Sequence, residues 1–291
     1  FIARGLQGIA TALAASTFGA ALLDLSKTQG SLINSISPML GMAAGMLMTC
    51  IVLEFSTVPL TLIFEILIFL FVSTSFIAIF SPETATKRVG ALASLKPQLT
   101  VPVQTRKALL IVSPINISLW MVSGFFLSLM PSLLAQAFHV QSAWLNGMMF
   151  ITLSVSGAVG ILTLRNAPTF KILVTAAITI VSGSSVMFLG IHLVQPILLF
   201  IGAVVTGVGF GIGFMGAIRA AMPLALPEQR AGLMAAFFVE SYLAFSIPAI
   251  IAGYFVNKVG LIFTADVYIC MIILLASLAF VFALKNKQNI H

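Results

Sequence analysis

Apolar stretches of about twenty residues, the length a helix needs to cross a bilayer, recur along this chain from end to end, and most contain no charge. They fall at roughly 3–24, 31–53, 59–80, 108–135, 145–164, 171–193, 197–220, 231–256 and 261–284. A soluble core cannot account for them, because a soluble surface needs polar cover and about a quarter of its residues charged. Here 60% of 291 residues are hydrophobic and 7% are charged. The expected fold class is therefore all-α, a polytopic membrane protein with the lipid bilayer as its surroundings. The chain opens at Phe1 with no charged region ahead of the first run, so that end reads as cut.

The formal net charge is +7. The basic residues sit between the apolar runs and form no continuous stripe, so no nucleic-acid partner is expected. Cys50 and Cys270 lie inside apolar runs and read as small buried hydrophobes. No zinc pattern, phosphate-binding loop or nucleophile elbow occurs, and His139, His192 and His291 are scattered. Neither an enzyme nor a metal or cofactor is expected.

Most connections are short. The exception, Ser81 to Lys107, is polar and basic, holding Lys87, Arg88, Lys96, Arg106 and Lys107, with Pro82, Pro97 and Pro102 to interrupt any helix. Lys27, those five residues, Arg165, Lys171, Arg219, Arg230, Lys285 and Lys287 all fall on one face, twelve of the 14 Lys and Arg. Only Arg4 and Lys258 fall on the other. Basic loops stay cytoplasmic, so the long loop and the C-terminus are expected there, in a plasma or inner membrane. Three spans precede the basic loop and six follow it. This divides the chain into residues 1–80, the second part of a first bundle; 81–107, a central loop; and 108–291, a complete six-helix bundle. Transporters are often two homologous halves joined in this way.

An ionisable group within a span costs roughly 2.5–3.5 kcal/mol on insertion scales and is a functional candidate by default. Arg4 is followed by Gln7 and Gly8 on the same helical face, giving a cation, an amide and a gap for close approach; a snorkelling interfacial arginine is the other reading. Pro38, Gly41 and Gly45 also share a face. Small residues four apart admit a close neighbour, and Pro38 permits a bend, so this face is either a gate or a static packing seam. Glu240 lies well inside its span and must be protonated, paired or hydrated. It reads as a proton or substrate group, or as a structural acid bonded to a neighbouring helix. Glu65 and Asp266 lie nearer span ends and read as interfacial. Asn116, Trp120 and Gln136 can face a cavity, though tryptophan is also an interface anchor. The alternating glycines from Gly207 to Gly213 describe a thin helix against which neighbours can pack, and Arg219 closes it as an anchor.

These residues resemble motifs of the major facilitator superfamily. Arg4, Gln7 and Gly8 are similar to its fourth-helix motif. Pro38, Gly41 and Gly45 are similar to its fifth-helix antiporter motif, with Ser37 where that motif has glycine. Pro82-Glu83-Thr84 looks like the end of its sixth helix, and Gly160 with Arg165 like a worn copy of a loop motif between helices eight and nine. The resemblance spans the whole chain as helices four to twelve, so three helices are expected before Phe1. It implies two six-helix bundles around a cavity, alternating access by rocking, and a monomer similar to bacterial drug:proton antiporters. The implied function is proton-coupled export of small organic molecules, with an uptake porter or a non-transporting receptor as alternatives. With the polar residues within spans added, the candidate proton and substrate pathway is Arg4, Gln7, Asn116, Trp120 and Glu240; the candidate gate is Gly8, Pro38, Gly41 and Gly45.

Cysteine placed at Ala93 is expected to react with a membrane-impermeant thiol reagent only from the cytoplasmic side. Labelling from outside would invert the topology.

Overall fold

The computed structural model describes residues 5–8, 10, 11, 14, 18, 22, 27–80, 100–139 and 142–289. Most of the first expected span, with Arg4, and residues 81–99 of the basic loop, including Pro82-Glu83-Thr84 and Ala93, lie outside the described residues. No strand occurs among those described.

The helices are α1 (Lys27–Phe55), α2 (Pro59–Phe80), α3 (Val103–Ser128), α4 (Met130–Gln136), α5 (Ala143–Leu164), α6 (Thr169–His192), α7 (Pro196–Ala221), α8 (Pro227–Val259) and α9 (Leu261–Lys285). Eight segments among them are long and apolar enough to cross a membrane; α4 is a short continuation of α3. The protein is thus all-helical, with the lengths and polarity of a multi-pass membrane protein.

Several boundaries differ from the sequence reading: α1 and α8 begin a turn earlier than expected, at Lys27 and Pro227, and two further differences concern α3. Helix α3 begins at Val103, so Arg106 and Lys107 are helical and not part of the loop. Pro102 adopts an extended ψ of 144° and its carbonyl accepts from both Thr105 N (2.9 Å) and Thr105 Oγ1 (2.8 Å), which starts the helix there. The single span foreseen over 108–135 divides after Ser128, with Pro131 in the first turn of α4. At the junction of α8 and α9 one residue suffices: Gly260 has φ 90° and ψ 159°, a conformation nearly closed to residues with a Cβ.

Helices α3 and α5–α9 form one bundle. α7 packs against α6, α5 and α3; α9 packs against α6 and α3; α8 packs against α3 and α9. α1 lies along α5 and touches α7, while α2 contacts α1 and has no buried residue. Cys50 on α1 is buried, with its thiol 3.5 Å from the Ala143 carbonyl and seated against Gly147. Cys270, expected to be buried, is exposed. It lies on α9 outside the buried stripe of Tyr268, Ile269, Ile272 and Ala276.

The glycines of α7 allow the closest packing. Residues two apart on a helix differ by about 200°, so alternating glycines serve opposite faces. A Cβ at Gly207 would run into the Leu153 backbone, and one at Gly211 into the backbone of Gly157, 2.6 Å from its Cα; both neighbours are on α5. On the opposite face a Cβ at Gly209 would lie 3.0 Å from the Ala176 carbonyl, and one at Gly216 2.9 Å from Ile172 Cγ2, both on α6. No flexible side-chain end can yield at Gly211. By contrast, Gly41 and Gly45 on α1 are exposed, and a Cβ there would meet nothing within 4 Å.

Gly211→Ala is therefore expected to destabilise the bundle by about 1–3 kcal/mol, the usual cost of overpacking, whereas Gly41→Ala should leave thermal unfolding in detergent unchanged. Equal behaviour of the two variants would contradict the α5–α7 contact.

Candidate functional site

Asn116 on α3 is fully buried one turn before Trp120, and the two share a face directed towards α8. Its amide nitrogen donates to Glu240 Oε2 at 2.8 Å and to Ser241 Oγ at 3.1 Å. The fully buried Ser241 hydroxyl lies 2.8 Å from the Phe237 carbonyl and 3.2 Å from Asn116 Oδ1. A hydroxyl has one proton, and the shorter contact places it on Phe237. Ser241 then accepts from Asn116, and the amide satisfies two acceptors on α8 at once. Glu240 is half-buried, so the carboxyl group sits at the rim of the bundle and not in its centre.

An aromatic enclosure continues from this polar node. The Trp120 ring lies 5.5 Å from Tyr242 and 6.5 Å from Phe245 on α8, and 6.4 Å from Phe210 and 6.5 Å from Phe214 on α7, centroid to centroid. Three of these contacts have interplanar angles of 73°, 74° and 90°, the edge-to-face geometry aromatic pairs favour. Phe238 stacks on Tyr242 at 6.1 Å. Trp120 Nε1 is buried and has no hydrogen-bond partner among the described residues. An indole N–H in apolar surroundings is a donor seeking an acceptor. The site therefore offers a carboxyl group, an amide, an unpaired donor and an aromatic wall, contributed by three helices.

Of the residues singled out from sequence, the structure brings Asn116, Trp120 and Glu240 together. Arg4 lies outside the described residues. The Gln7 carbonyl accepts from Thr11 Oγ1 at 2.8 Å, and Gly8 is exposed, with nothing within 4 Å of where a Cβ would stand. Pro38 lies within α1, which continues on both sides of it. Gln136 is exposed at the end of α4, Glu65 is exposed on α2, and Arg219 is in the last turn of α7. The sequence reading missed Ser241 and the aromatic partners, although Phe210 with Phe214, and Phe238 with Tyr242 and Phe245, recur at helical spacing. It also missed the contact of His192 Nε2 with Asp266 Oδ1 at 3.0 Å, which joins the end of α6 to the start of α9. No group of three or more His, Cys, Asp and Glu among the described residues is placed to hold a metal.

In comparison with known proteins, no family model and no curated relative matches this chain.

Asn116→Leu keeps the branching of the side chain, with somewhat more bulk, but removes both bonds to α8. A cost of about 0.5–2 kcal/mol is expected, the range for hydrogen bonds between membrane helices, read by thermal unfolding. Unchanged stability would make the node dispensable to the α3–α8 contact.

Proposed function

We propose that this protein is a secondary active transporter of the major facilitator superfamily, exporting small amphipathic organic molecules in exchange for protons. The observation that carries this reading is the Asn116–Glu240 hydrogen bond beside the Trp120 enclosure, at the rim of a bundle of membrane-length helices. A carboxyl group within a span is expensive unless it is used, and here it is bonded yet half-exposed, so a proton can reach it. The aromatic wall suits the apolar part of a substrate. Helix α1 resting against α5 and α7 supports two units that rock across a shared face. The order of motifs around a central basic stretch supports the superfamily, and the crowding of Lys and Arg at one end supports a cytoplasmic basic face.

The Asn116 bond serves a structural acid as well as a proton carrier, and flux separates the two. In proteoliposomes containing the intact protein and an imposed pH gradient, Glu240→Gln is expected to lower proton-driven flux of a fluorescent amphipathic amine at least tenfold, about 1.4 kcal/mol, with little change in unfolding temperature. Wild-type flux in the variant would make Glu240 structural. Accumulation in the opposite direction would favour an uptake porter, and absence of flux for any tested compound would favour a receptor.

A further inference from the structure

A second feature lies away from the Trp120 site, on the outward side of α6 and α9. Ala177, Ile178, Val181 and Ser182 of α6 and Ser277, Phe280 and Val281 of α9 line a largely apolar groove of about 340 Å³. The stripe that forms its α6 wall continues towards the basic end of the bundle. Seven residues make nearly two helical turns, so Phe170 lies below Ala177 and Lys171 below Ile178. Lys171 is exposed. On the other wall Lys285 follows Val281 by one turn and is also exposed. Lys287 bends back over this same foot, with its Nζ 5.3 Å from the centre of the Phe170 ring. Helical register thus brings Lys171 and Lys285 to the end of the groove where Lys287 lies. Among the described residues none of them is paired with a carboxylate, the one ion pair being His192–Asp266 at the far end of these helices.

We propose that this groove and its lysine foot form a binding site for an anionic phospholipid, the headgroup phosphate held by Lys171, Lys285 and Lys287 and an acyl chain lying between α6 and α9. The dimensions agree. At about 1.5 Å of rise per residue, the lysines stand roughly 6–10 Å from Val281 and Ile178 along the helix axes, about the separation of a lipid phosphate from its upper acyl carbons. Membranes collect anionic lipids at clusters of lysine near the helix ends, with roughly a fivefold gain in affinity for each residue. Phe170 holds Lys287 by a cation–π contact and so pre-orients one of the three. A neutral lipid would fill the groove but leave the charges unused. The site depends on the membrane reading of the chain and is independent of transport.

The test uses the intact protein in detergent, titrated with phosphatidylglycerol or with phosphatidylcholine of identical chains, followed by native mass spectrometry and unfolding temperature. Phosphatidylglycerol is expected to be retained preferentially and to raise the unfolding temperature further. The triple variant Lys171→Gln, Lys285→Gln, Lys287→Gln should weaken its binding at least tenfold, while Lys258→Gln, at the other end of the bundle, should not. Ser182→Trp, which fills the groove, should weaken both lipids. Equal retention of the two lipids, or an undiminished preference in the triple variant, would overturn the proposal. So would an equal shift from inorganic phosphate alone, or a change of oligomeric state with Ser182→Trp in place of a change in lipid binding.

Discussion

Backbone-to-backbone contact at α7 sets the rest of the bundle. Apolar surface gains nothing by leaving lipid for another apolar surface, so helices in a membrane associate through tight packing and hydrogen bonds. Here the tightest approach is made where Gly207 and Gly211 meet Leu153 and Gly157 of α5. The opposite face of the same helix meets α6 through Gly209 and Gly216. With α5 and α6 drawn in on either side, the remaining ridge of α7, carrying Phe210 and Phe214, faces α3 and meets Trp120. The approach of α7 to α3 has its own glycine: a Cβ at Gly213 would lie 3.2 Å from Leu119 Cδ2 and 3.4 Å from Ile115 Cγ1, so bulk there would push Phe210 and Phe214 away from Trp120.

Polar groups are treated differently in different parts of the molecule. On α3 and α8, Asn116, Glu240 and Ser241 are joined across the helix interface, and each bond satisfies a group that lipid would leave unsatisfied. Elsewhere, Ser and Thr hydroxyls turn back onto their own helix: Ser113 bonds the Leu109 carbonyl, Ser128 bonds Gly124 and Ser182 bonds Ile178. Such bonds neutralise the hydroxyl without committing it to a neighbour. Gln104–Gln229 and His192–Asp266 also link two helices, but both contacts are exposed; the Asn116–Glu240–Ser241 node is set apart by its burial at Asn116 and Ser241. At the lysine foot of α6 and α9 the charges lack a carboxylate partner among the described residues, which suits a surface completed by lipid.

Helices, their number among the described residues and their apolar character were legible in the sequence, because twenty uncharged residues in a row permit little else. The place of Glu240 well within the length of its helix was legible for the same reason: an acid stands out against such a background. Spacing also placed Asn116 and Trp120 on one face. What spacing could not say was which face of α8 meets α3, so the union of Asn116 with Glu240 and Ser241, 124 and 125 residues away, had no signature. The two small-residue motifs illustrate the same limit. Gly41 and Gly45 have the ideal spacing yet face no described neighbour, whereas Gly207 and Gly211, with the same four-residue spacing, touch backbone.

By itself, the sequence determined the medium and the element type, since both follow from local hydropathy and from the need of a backbone in lipid to bond within its own helix. The sharp junction at Gly260 and the start of α3 at Pro102 also follow from local backbone rules, although the apolar pattern alone puts the start of α3 at residue 108 and a four-residue link before α9. Only the tertiary structure decided helix rotation and partnership. A helix that is apolar on every side has no amphipathic face to reveal its orientation, so its azimuth is chosen by glycine gaps, aromatic edges and a few hydrogen bonds summed over the whole bundle. The same choice brought Lys287 back over Phe170 and left three lysines at the foot of one groove.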